Sequence, residues 1–393
     1  MTARRLAFYQ MTVAAFAAAA LLLGGPARAD DTVKIGVIMP MTGPFQSNGW
    51  EADAGIKLFL QQHGTSAGGK KVEIILKDDA GVADNAKRIA QELIVNERVQ
   101  VLFGFGLTPI ALAVAPLATE AKIPMIVTVA STSIIVERSP YIVRTIQTIP
   151  QIANIVGQWA ANNGIKTAVT LVSDYAPGHD AEDWFGKAFE KNGGKVVDKL
   201  RVPLSNPDFS PFLQRAGDDA PNAIFAFMPT GVGSIFAKQF AERGLDKSGI
   251  RIVSMSDVMD DDLLNGMGDA VLRIVTGGPY SIAHDSPENK AFVSAFRAAN
   301  GNRRPNIVAV SAYDGMALLF RALEATKGAT DGTALVEAMK GMKWQSPRGP
   351  IAIDPATRDI VQNIYMRKVE RKEGELYNVE FQTFPTVKDP AHP

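Results

Sequence analysis

Two short apolar runs in the first third of the chain each end in small and hydroxyl-bearing residues. Residues 101–104 lead into a loop that reaches Thr108, and residues 124–129 lead directly to Ala130 and Thr132. The segment between the runs has apolar positions at helical spacing, so the unit is predicted to be strand, helix, strand. In open parallel sheets, ligands bind beyond the carboxyl ends of the strands, where loop amides and hydroxyls meet helix N-termini. The pattern therefore predicts that Thr108, Ala130 and Thr132 form half of a site for a small anionic group.

The same unit of apolar strand, small-residue loop and helix recurs along the rest of the chain. Alternating strands and helices with parallel connections predict an α/β fold made of two doubly wound parallel-sheet lobes. The predicted strands are residues 33–39, 72–76, 101–104, 124–129, 168–172, 196–202, 223–228 and 250–254, with closing strands at 349–354 and 364–369.

The N-terminal segment has the pattern of an export signal. Arg4 and Arg5 precede an apolar run at residues 11–23, and the sequence Ala-Arg-Ala at residues 27–29 has the form of a cleavage site. The run is shorter than the roughly 20 apolar residues that a membrane-spanning helix needs. We therefore expect a signal peptide, residues 1–29, that is cleaved after Ala29 and leaves a soluble periplasmic protein.

Composition narrows the functional classes. The chain has 393 residues, which is too long for one ordinary core, and its formal net charge is zero. Without a long basic run interleaved with aromatic residues, a nucleic-acid partner is not expected. Cysteine is absent, which excludes disulfides, thiolate nucleophiles and cysteine-ligated metals.

Motifs for catalysis are weak. Gly231 and Gly233 follow a predicted strand, as in a dinucleotide-binding fingerprint, but Phe236 occupies the place of the third glycine. The four histidines form no H-E-x-x-H pair, and no G-x-S-x-G is present. A plain strand-to-helix turn explains the glycines better, and the acidic run at residues 260–262 is expected to cap a helix start. A nicotinamide-dependent or other α/β enzyme remains the alternative.

Several short motifs follow one another in a fixed order along the chain. They are Ile35-Gly36-Val37 with Thr42-Gly43-Pro44, Lys77-Asp78-Asp79 with Asp84, Gly104 with Thr108, Ile123-Pro124 with Ala130-Ser131-Thr132, Asp174 with Gly178, Tyr313-Asp314, and Gly349-Pro350 with Asp354. In order and spacing they resemble the type I periplasmic solute-binding proteins of ABC importers, in the group that binds leucine, isoleucine, valine and related amides and acids. The resemblance spans nearly the whole mature chain.

The resemblance implies a Venus-flytrap architecture, in which two lobes joined by a three-strand hinge hold the ligand in the cleft between them. The crossovers are expected near Pro150, Gly278 and Asn363. The implied lobes are residues 30–150 with 279–362 and residues 151–278 with 363–393.

The resemblance also implies how the ligand is held. The carboxylate-binding positions of the family match Thr108, Ala130 and Thr132. The positions expected to recognise the rest of the ligand are Asn48, Tyr175, Thr230 and either Ser256 or Asp257, with Phe45, Trp50, Phe105 or Phe227 as walls. An amino acid is expected if Asp257 faces the cleft, and a carboxylate without an amine, such as an aromatic acid, if Ser256 does.

The implied function is that of the substrate-binding component of an ABC importer. The protein would capture a small carboxylate-bearing solute and deliver it to a membrane permease. It is expected to act as a monomer, without cofactor, metal or catalysis. An extracellular ligand-sensing domain shares the fold and is the third alternative, but no signalling segment is expected beside the two lobes.

Overall fold

The computed structural model describes residues 31–392. The predicted signal peptide and its cleavage after Ala29 lie outside the described residues. The described part of the chain forms ten α-helices and fifteen β-strands arranged in two sheets. No helix within residues 31–392 has both the length and the apolar composition to cross a membrane.

The first sheet has six strands in the order β2-β3-β1-β4-β5-β6. Its strands are β1 Thr32–Met39, β2 Ser66–Ala67, β3 Lys70–Asp78, β4 Val101–Gly104, β5 Met125–Val127 and β6 Ile142–Arg144. All pairs are parallel except the short β2 with β3. Core clusters lie on both faces of this sheet, which explains why the central strands are continuous apolar runs rather than alternating ones.

Helices cover both sheets. They are α1 Gln46–His63, α2 Ala83–Val95, α3 Thr108–Ala121, α4 Ile149–Asn162, α5 Ala176–Lys191, α6 Ser210–Asp218, α7 Gly233–Glu242, α8 Pro287–Ala299, α9 Ile307–Ala325 and α10 Gly332–Met339. A 3-10 turn at Ser133–Arg138 follows β5. A second 3-10 turn at Ser256–Val258 directly follows the strand Arg251–Met255.

The second sheet has nine strands, of which eight follow the order β12-β13-β14-β11-β10-β9-β7-β8 and β15 pairs with β14. Its strands are β7 Thr167–Ser173, β8 Lys195–Val202, β9 Ala223–Phe227, β10 Arg251–Met255, β11 Val275–Gly278, β12 Lys343–Ser346, β13 Gly349–Ile353, β14 Ile360–Lys372 and β15 Glu375–Val387. Strands β7 to β11 are parallel, and the strands added by β12 to β15 are antiparallel. The α/β prediction with two sheet-based lobes is confirmed, with an antiparallel extension that the sequence pattern did not reveal.

Strand β14 contacts the cores of both sheets: Ile360 packs in the cluster that holds residues of β1 and β4, and Ile364 and Met366 pack in a cluster of the second sheet. At its start Ile360 pairs with Ile353 of β13, and further along Tyr365 pairs with Gly278 of β11. The β12–β13 hairpin is fixed to α9 by a buried ion pair in which Arg348 Nη2 lies 2.7 Å from Asp314 Oδ2. The lobe boundaries given above stay a prediction.

Candidate ligand-binding cleft

The first half of the cleft is built at the edge where β4 and β5 end. Helix α3 begins at Thr108 after β4, and the loop after β5 carries Ala130 and Thr132. Thr108 Oγ1 and Thr132 Oγ1 are hydrogen-bonded at 3.0 Å, and both residues are buried. At the start of α3, Pro109 has no N–H and the Ile110 N–H donates to Leu107 O, which leaves the Thr108 N–H and hydroxyl at the positive end of the helix dipole. This edge can therefore hold an anion without a basic side chain.

A buried arginine fixes the loop that carries Thr132. Arg144 Nη1 donates to Thr132 O at 2.7 Å, and Arg144 Nε donates to Asp359 Oδ1 at 2.6 Å. The loop is thereby tied to the residue that precedes β14. Arg144 ends β6 and is fully buried, and a buried arginine is almost always paired with an acceptor.

The second half of the cleft is centred on Asp257, in the turn Ser256–Val258 after β10. Thr230 Oγ1 donates to Asp257 Oδ1 and Ser256 Oγ donates to Asp257 Oδ2, each at 3.4 Å. Helix α7 packs directly on this turn, since a Cβ at Gly233 would lie 1.8 Å from the carbonyl oxygen of Val258. Close packing thus accounts for the glycine that had suggested a dinucleotide fingerprint.

These two halves face each other across an empty space of about 330 Å³ that is partly open to solvent. Six of the predicted site residues line it, namely Asn48, Thr108, Ala130, Tyr175, Thr230 and Asp257. The predicted wall residue Phe227 also lines this space. Six further residues that were not predicted line it as well, namely Gly106, Leu107, Val129, Ser131, Pro177 and Pro229. Of the two positions left open, Asp257 lines the cleft and Ser256 lies behind it.

Other predicted residues lie away from the cleft surface. Thr132 stands behind Thr108 as its hydrogen-bond partner. Phe105 is fully buried in the core of the first half: β4 ends at Gly104, the Phe105 backbone turns into the left-handed region with φ 72°, and its side chain packs in the core cluster. Its expected role as a cleft wall is therefore not supported by its position. Trp50 instead packs against the guanidinium of Arg303, with the Arg303 Cζ 3.7 Å from the ring centroid.

Burial shapes the electrostatics of the cleft. It raises the pKa of the Asp257 carboxyl above its ordinary value, and Arg367 together with hydrogen bonds from Ser256 and Thr230 offsets part of the rise. Burial and the charge of Asp257 also raise the pKa of Tyr175, which stays neutral. Among the described residues that line the cleft there is no lysine or arginine. The half of the cleft at Thr108 therefore attracts an anion through amides and hydroxyls, and the half at Asp257 offers hydrogen-bond acceptors.

Aromatic and amide groups complete the walls. The rings of Tyr175 and Phe227 are nearly parallel, with an interplanar angle of 6° and centroids 6.4 Å apart. Asn48 Oδ1 is buried and has no hydrogen-bond partner in the described part of the chain. Because buried polar atoms are rarely left unpaired, this oxygen is suited to accept a hydrogen bond from a ligand.

The two halves also meet at the rim through Asp262. Its Oδ2 accepts a hydrogen bond from Ser47 Oγ at 3.4 Å, and its Oδ1 accepts one from Asn306 Nδ2 at 3.3 Å. The prediction that residues 260–262 cap a helix is wrong, since the 3-10 helix Leu264–Met267 that follows has no side-chain cap hydrogen bond and the aspartate side chains bond to other elements. Burial raises the pKa of Asp262 to about 6.

A sequence model of the family described as "Periplasmic binding protein" matches residues 32–375, which is most of the chain. The chain belongs to the periplasmic binding proteins. The resemblance seen in the short motifs is confirmed.

Several relatives of this periplasmic binding protein are known. The "Leu/Ile/Val-binding protein homolog 6" of Brucella melitensis is 43% identical over 384 residues, covering 96% of this chain and 98% of the relative. A solute-binding protein of an ABC transporter from Rhodopseudomonas palustris BisB5, solved in complex with 3,4-dihydroxybenzoic acid, is 60% identical with a TM-score of 0.91, covering 92% of this chain and 100% of that one. A second solute-binding protein of an ABC transporter from R. palustris, solved in complex with 4-hydroxybenzoate, is 42% identical with a TM-score of 0.88. The match covers 92% of this chain and 99% of that one.

These findings establish the class of the protein. It has the type I periplasmic binding protein fold and is a periplasmic solute-binding protein of an ABC transporter. The family and these relatives are binding components of transporters and not enzymes, so the prediction that the chain is not an enzyme is confirmed.

Proposed function

We propose that this periplasmic binding protein captures a hydroxybenzoate, with 3,4-dihydroxybenzoate as the preferred ligand, and delivers it to a membrane permease. The observation that carries the proposal is the 60% identity to a solute-binding protein solved with 3,4-dihydroxybenzoic acid, over the full length of that chain. The chemistry of the cleft supports the same ligand class.

The polarity of the cleft favours one orientation of such a ligand. Its carboxylate would lie at the N-terminus of α3, beside Thr108 and the loop at Ala130, because the positive end of the helix dipole favours negative charge there. The phenolic hydroxyls would point to Asp257 and Thr230, since hydroxyls can donate to a carboxylate oxygen.

The planar ring of the ligand matches the aromatic wall. Tyr175 and Phe227 present nearly parallel rings, and aromatic pairs add roughly 0.5–1.5 kcal/mol beyond the area that they bury. The unpaired Asn48 Oδ1 supplies a further acceptor for a hydroxyl. In this proposal Thr132 acts through Thr108 by orienting its hydroxyl.

Capture would proceed by closure of the two lobes, residues 30–150 with 279–362 and residues 151–278 with 363–393. Ligand that contacts both lobes stabilises the closed form. Closure would bury roughly 70–90% of the ligand surface, as in other small-molecule clefts. The closed form would then be recognised by the permease.

A branched-chain or related amino acid is the second candidate. Asp257 lines the cleft, where an ionised carboxylate could pair with an α-ammonium group. The 43% identity to a protein named as a Leu/Ile/Val-binding homolog supports the same candidate. The raised pKa of Asp257 weakens it, because burial disfavours the ionised form that an ammonium group needs.

A thermal-shift panel separates the two candidates. Binding at 100 times the dissociation constant stabilises a protein by about 2.7 kcal/mol, which raises its melting temperature by several degrees. We expect 3,4-dihydroxybenzoate and 4-hydroxybenzoate to raise the melting temperature of the mature chain, and leucine, isoleucine and valine to leave it unchanged. Shifts by the amino acids alone would contradict the proposal.

We further propose that export removes residues 1–29. Intact-mass measurement of the protein recovered from the periplasm should give the mass of a chain that begins at Asp30. A mass that retains the N-terminal apolar run would contradict the cleavage site.

A further inference from the structure

The segment after β15 brings two titratable side chains against a third that lies far away in sequence. Asp389 and His392 lie beside Asp359, which precedes β14. The atoms Asp359 Oδ2, Asp389 Oδ2 and His392 Nδ1 lie within 4.8 Å of one another. His392 Nδ1 is 3.8 Å from Asp359 Oδ2 and 3.6 Å from Asp389 Oδ2. The three atoms thus converge on one point without bonding directly to each other.

Two of these converging atoms are buried and unpaired. Asp359 is 1% exposed, and neither its Oδ2 nor the His392 Nδ1 has a hydrogen-bond partner among residues 31–392. An unpaired carboxylate oxygen in a buried position is costly, and native proteins rarely leave one without a proton donor or a cation. The geometry indicates that a positively charged partner belongs between them.

The opposite sides of His392 and Asp359 are held by separate contacts. His392 Nε2 lies 2.8 Å from Glu137 Oε1, and Asp359 Oδ1 accepts from Arg144 Nε at 2.6 Å. Asp389 Oδ2, the oxygen that faces His392, also accepts from Ser133 Oγ at 2.5 Å, and its second lone pair is left for a cation. When Nε2 carries the proton toward Glu137, the lone pair of Nδ1 faces the two aspartates. A carboxylate that orients a histidine in this way is typical of metal sites.

We propose that Asp359, Asp389 and His392 bind one divalent transition-metal cation, of which Zn²⁺ is the best fit. One imidazole and two carboxylates suit Zn²⁺, whereas Ca²⁺ and Mg²⁺ prefer sites made of oxygen ligands alone. With metal–ligand distances of about 2.1 Å, tetrahedral geometry separates ligand atoms by about 3.4 Å, close to the 3.8 and 3.6 Å between His392 Nδ1 and the oxygens of Asp359 and Asp389. A water would supply the fourth ligand.

The bound cation would fix residues 388–392 onto the first half of the molecule. Asp359 and Ser133 adjoin Arg144 and Thr132, so the site lies directly behind the loop at the cleft. The proposal does not depend on which solute the cleft holds. A proton on His392 would compete with the cation for this position, since the carboxylates of Asp359, Glu137 and Asp389 raise the pKa of His392 to about 9.

Zinc titration of the chelator-stripped mature chain tests the site. Competition with a chromogenic chelator should show one Zn²⁺ bound per chain. His392→Ala and Asp389→Asn should each weaken binding more than about tenfold, and Glu137→Gln, which alters only the orienting contact, by roughly 10–100-fold. The matched control is His179→Ala, which removes a histidine paired with one carboxylate, Asp174, at 2.7 Å and should leave Zn²⁺ affinity unchanged.

Cobalt provides a second readout. Co²⁺ bound at this site should give the visible absorption of a tetrahedral complex in the wild type and in His179→Ala, and lose it in His392→Ala. Circular dichroism of each variant checks that it is folded. If His392→Ala does not fold, Asp389→Asn takes its place in the cobalt measurement. The absence of Zn²⁺ binding by the wild type, or equal binding by all variants, would overturn the proposal and leave a protonated histidine at the cluster.

Discussion

Thr108 Oγ1 and Thr132 Oγ1 form a buried hydrogen bond of 3.0 Å at the ends of neighbouring strands. A hydroxyl has one proton to donate, so one threonine uses its proton within the pair while the proton of the other stays free. Since Thr108 is the member that lines the cleft, Thr132 can orient the Thr108 hydroxyl toward a ligand carboxylate. The pair is thus the part of the site that should recognise the anionic group.

Replacing each threonine by valine tests this arrangement. Thr108→Val should weaken binding of 3,4-dihydroxybenzoate by roughly 10–100-fold, because a hydrogen bond to a charged group contributes about 1.5–3 kcal/mol. Thr132→Val should have a smaller effect in the same direction. Calorimetric titration measures both. The matched control is Thr119→Val on the same helix, an exposed residue away from the cleft whose hydroxyl bonds to Ala115 O and Ser139. Equal affinities for all three variants would remove the pair from the site.

Asp257 should recognise the hydroxyl end of the ligand. Asp257→Asn is expected to weaken binding of 3,4-dihydroxybenzoate about tenfold while leaving the affinity for benzoate, which lacks hydroxyls, nearly unchanged. The comparison of two ligands on one variant separates a local contact from a general disturbance of the cleft. An equal loss for both ligands would contradict the orientation proposed here.

The rim contact of Asp262 predicts a pH-dependent stability. The folded-state pKa of about 6 exceeds the ordinary value of 3.8, so the folded protein holds this proton more tightly than the unfolded chain. Stability contributed by Asp262 is therefore present below about pH 4 and is lost as the pH rises to about 6. The titratable groups facing it are Asp260, Asp261 and Glu51, with Arg303 opposing the charge of Glu51.

Asp262→Asn should remove this pH dependence. The amide carries no charge; its oxygen can accept from Asn306 Nδ2, and its NH2 can donate to the Ser47 hydroxyl. We expect the variant to exceed the wild type in unfolding free energy by roughly 1–2 kcal/mol at pH 7 and to equal it near pH 4. Urea denaturation at the two pH values measures the difference. A variant less stable than the wild type at pH 7 would show that the charge of Asp262 stabilises the closed rim.

Asp314 should be a strong determinant of stability. Its carboxylate accepts hydrogen bonds from Trp344, Ser346 and Arg348, and both members of the ion pair are buried. Asp314→Ala leaves the Arg348 guanidinium buried without its counterion, at a cost of about 3–5 kcal/mol. Asp53→Ala, which breaks the ion pair with the exposed Lys57, should cost less than about 1 kcal/mol. Similar melting temperatures for the two variants would contradict this estimate.

Much of the fold could be predicted from the sequence because its central strands are buried on both faces. Strands such as β4 and β9 appear as uninterrupted apolar runs, each followed by small residues where a helix begins. Strand β15 was missed, since much of its C-terminal half is exposed and gives no burial pattern. Its partner β14 was predicted only in its central, buried part.

The residues of the site could be predicted from the sequence only in part. Thr108 and Asp257 follow strand ends, which is where the fold places ligands. Phe105 also follows a strand end, but its side chain faces the core, because its backbone takes a left-handed conformation that the sequence pattern does not reveal. The contact of Arg144 with Asp359 joins residues 215 positions apart, and nothing local in the sequence specifies it.

A calorimetric titration of the mature protein with 3,4-dihydroxybenzoate and, separately, with leucine tests most directly whether the cleft binds a hydroxybenzoate. We expect one hydroxybenzoate bound per chain with a dissociation constant of about 1 µM or lower, which corresponds to about −8 kcal/mol, and no measurable heat with leucine. Tight binding of leucine together with no binding of 3,4-dihydroxybenzoate would contradict it.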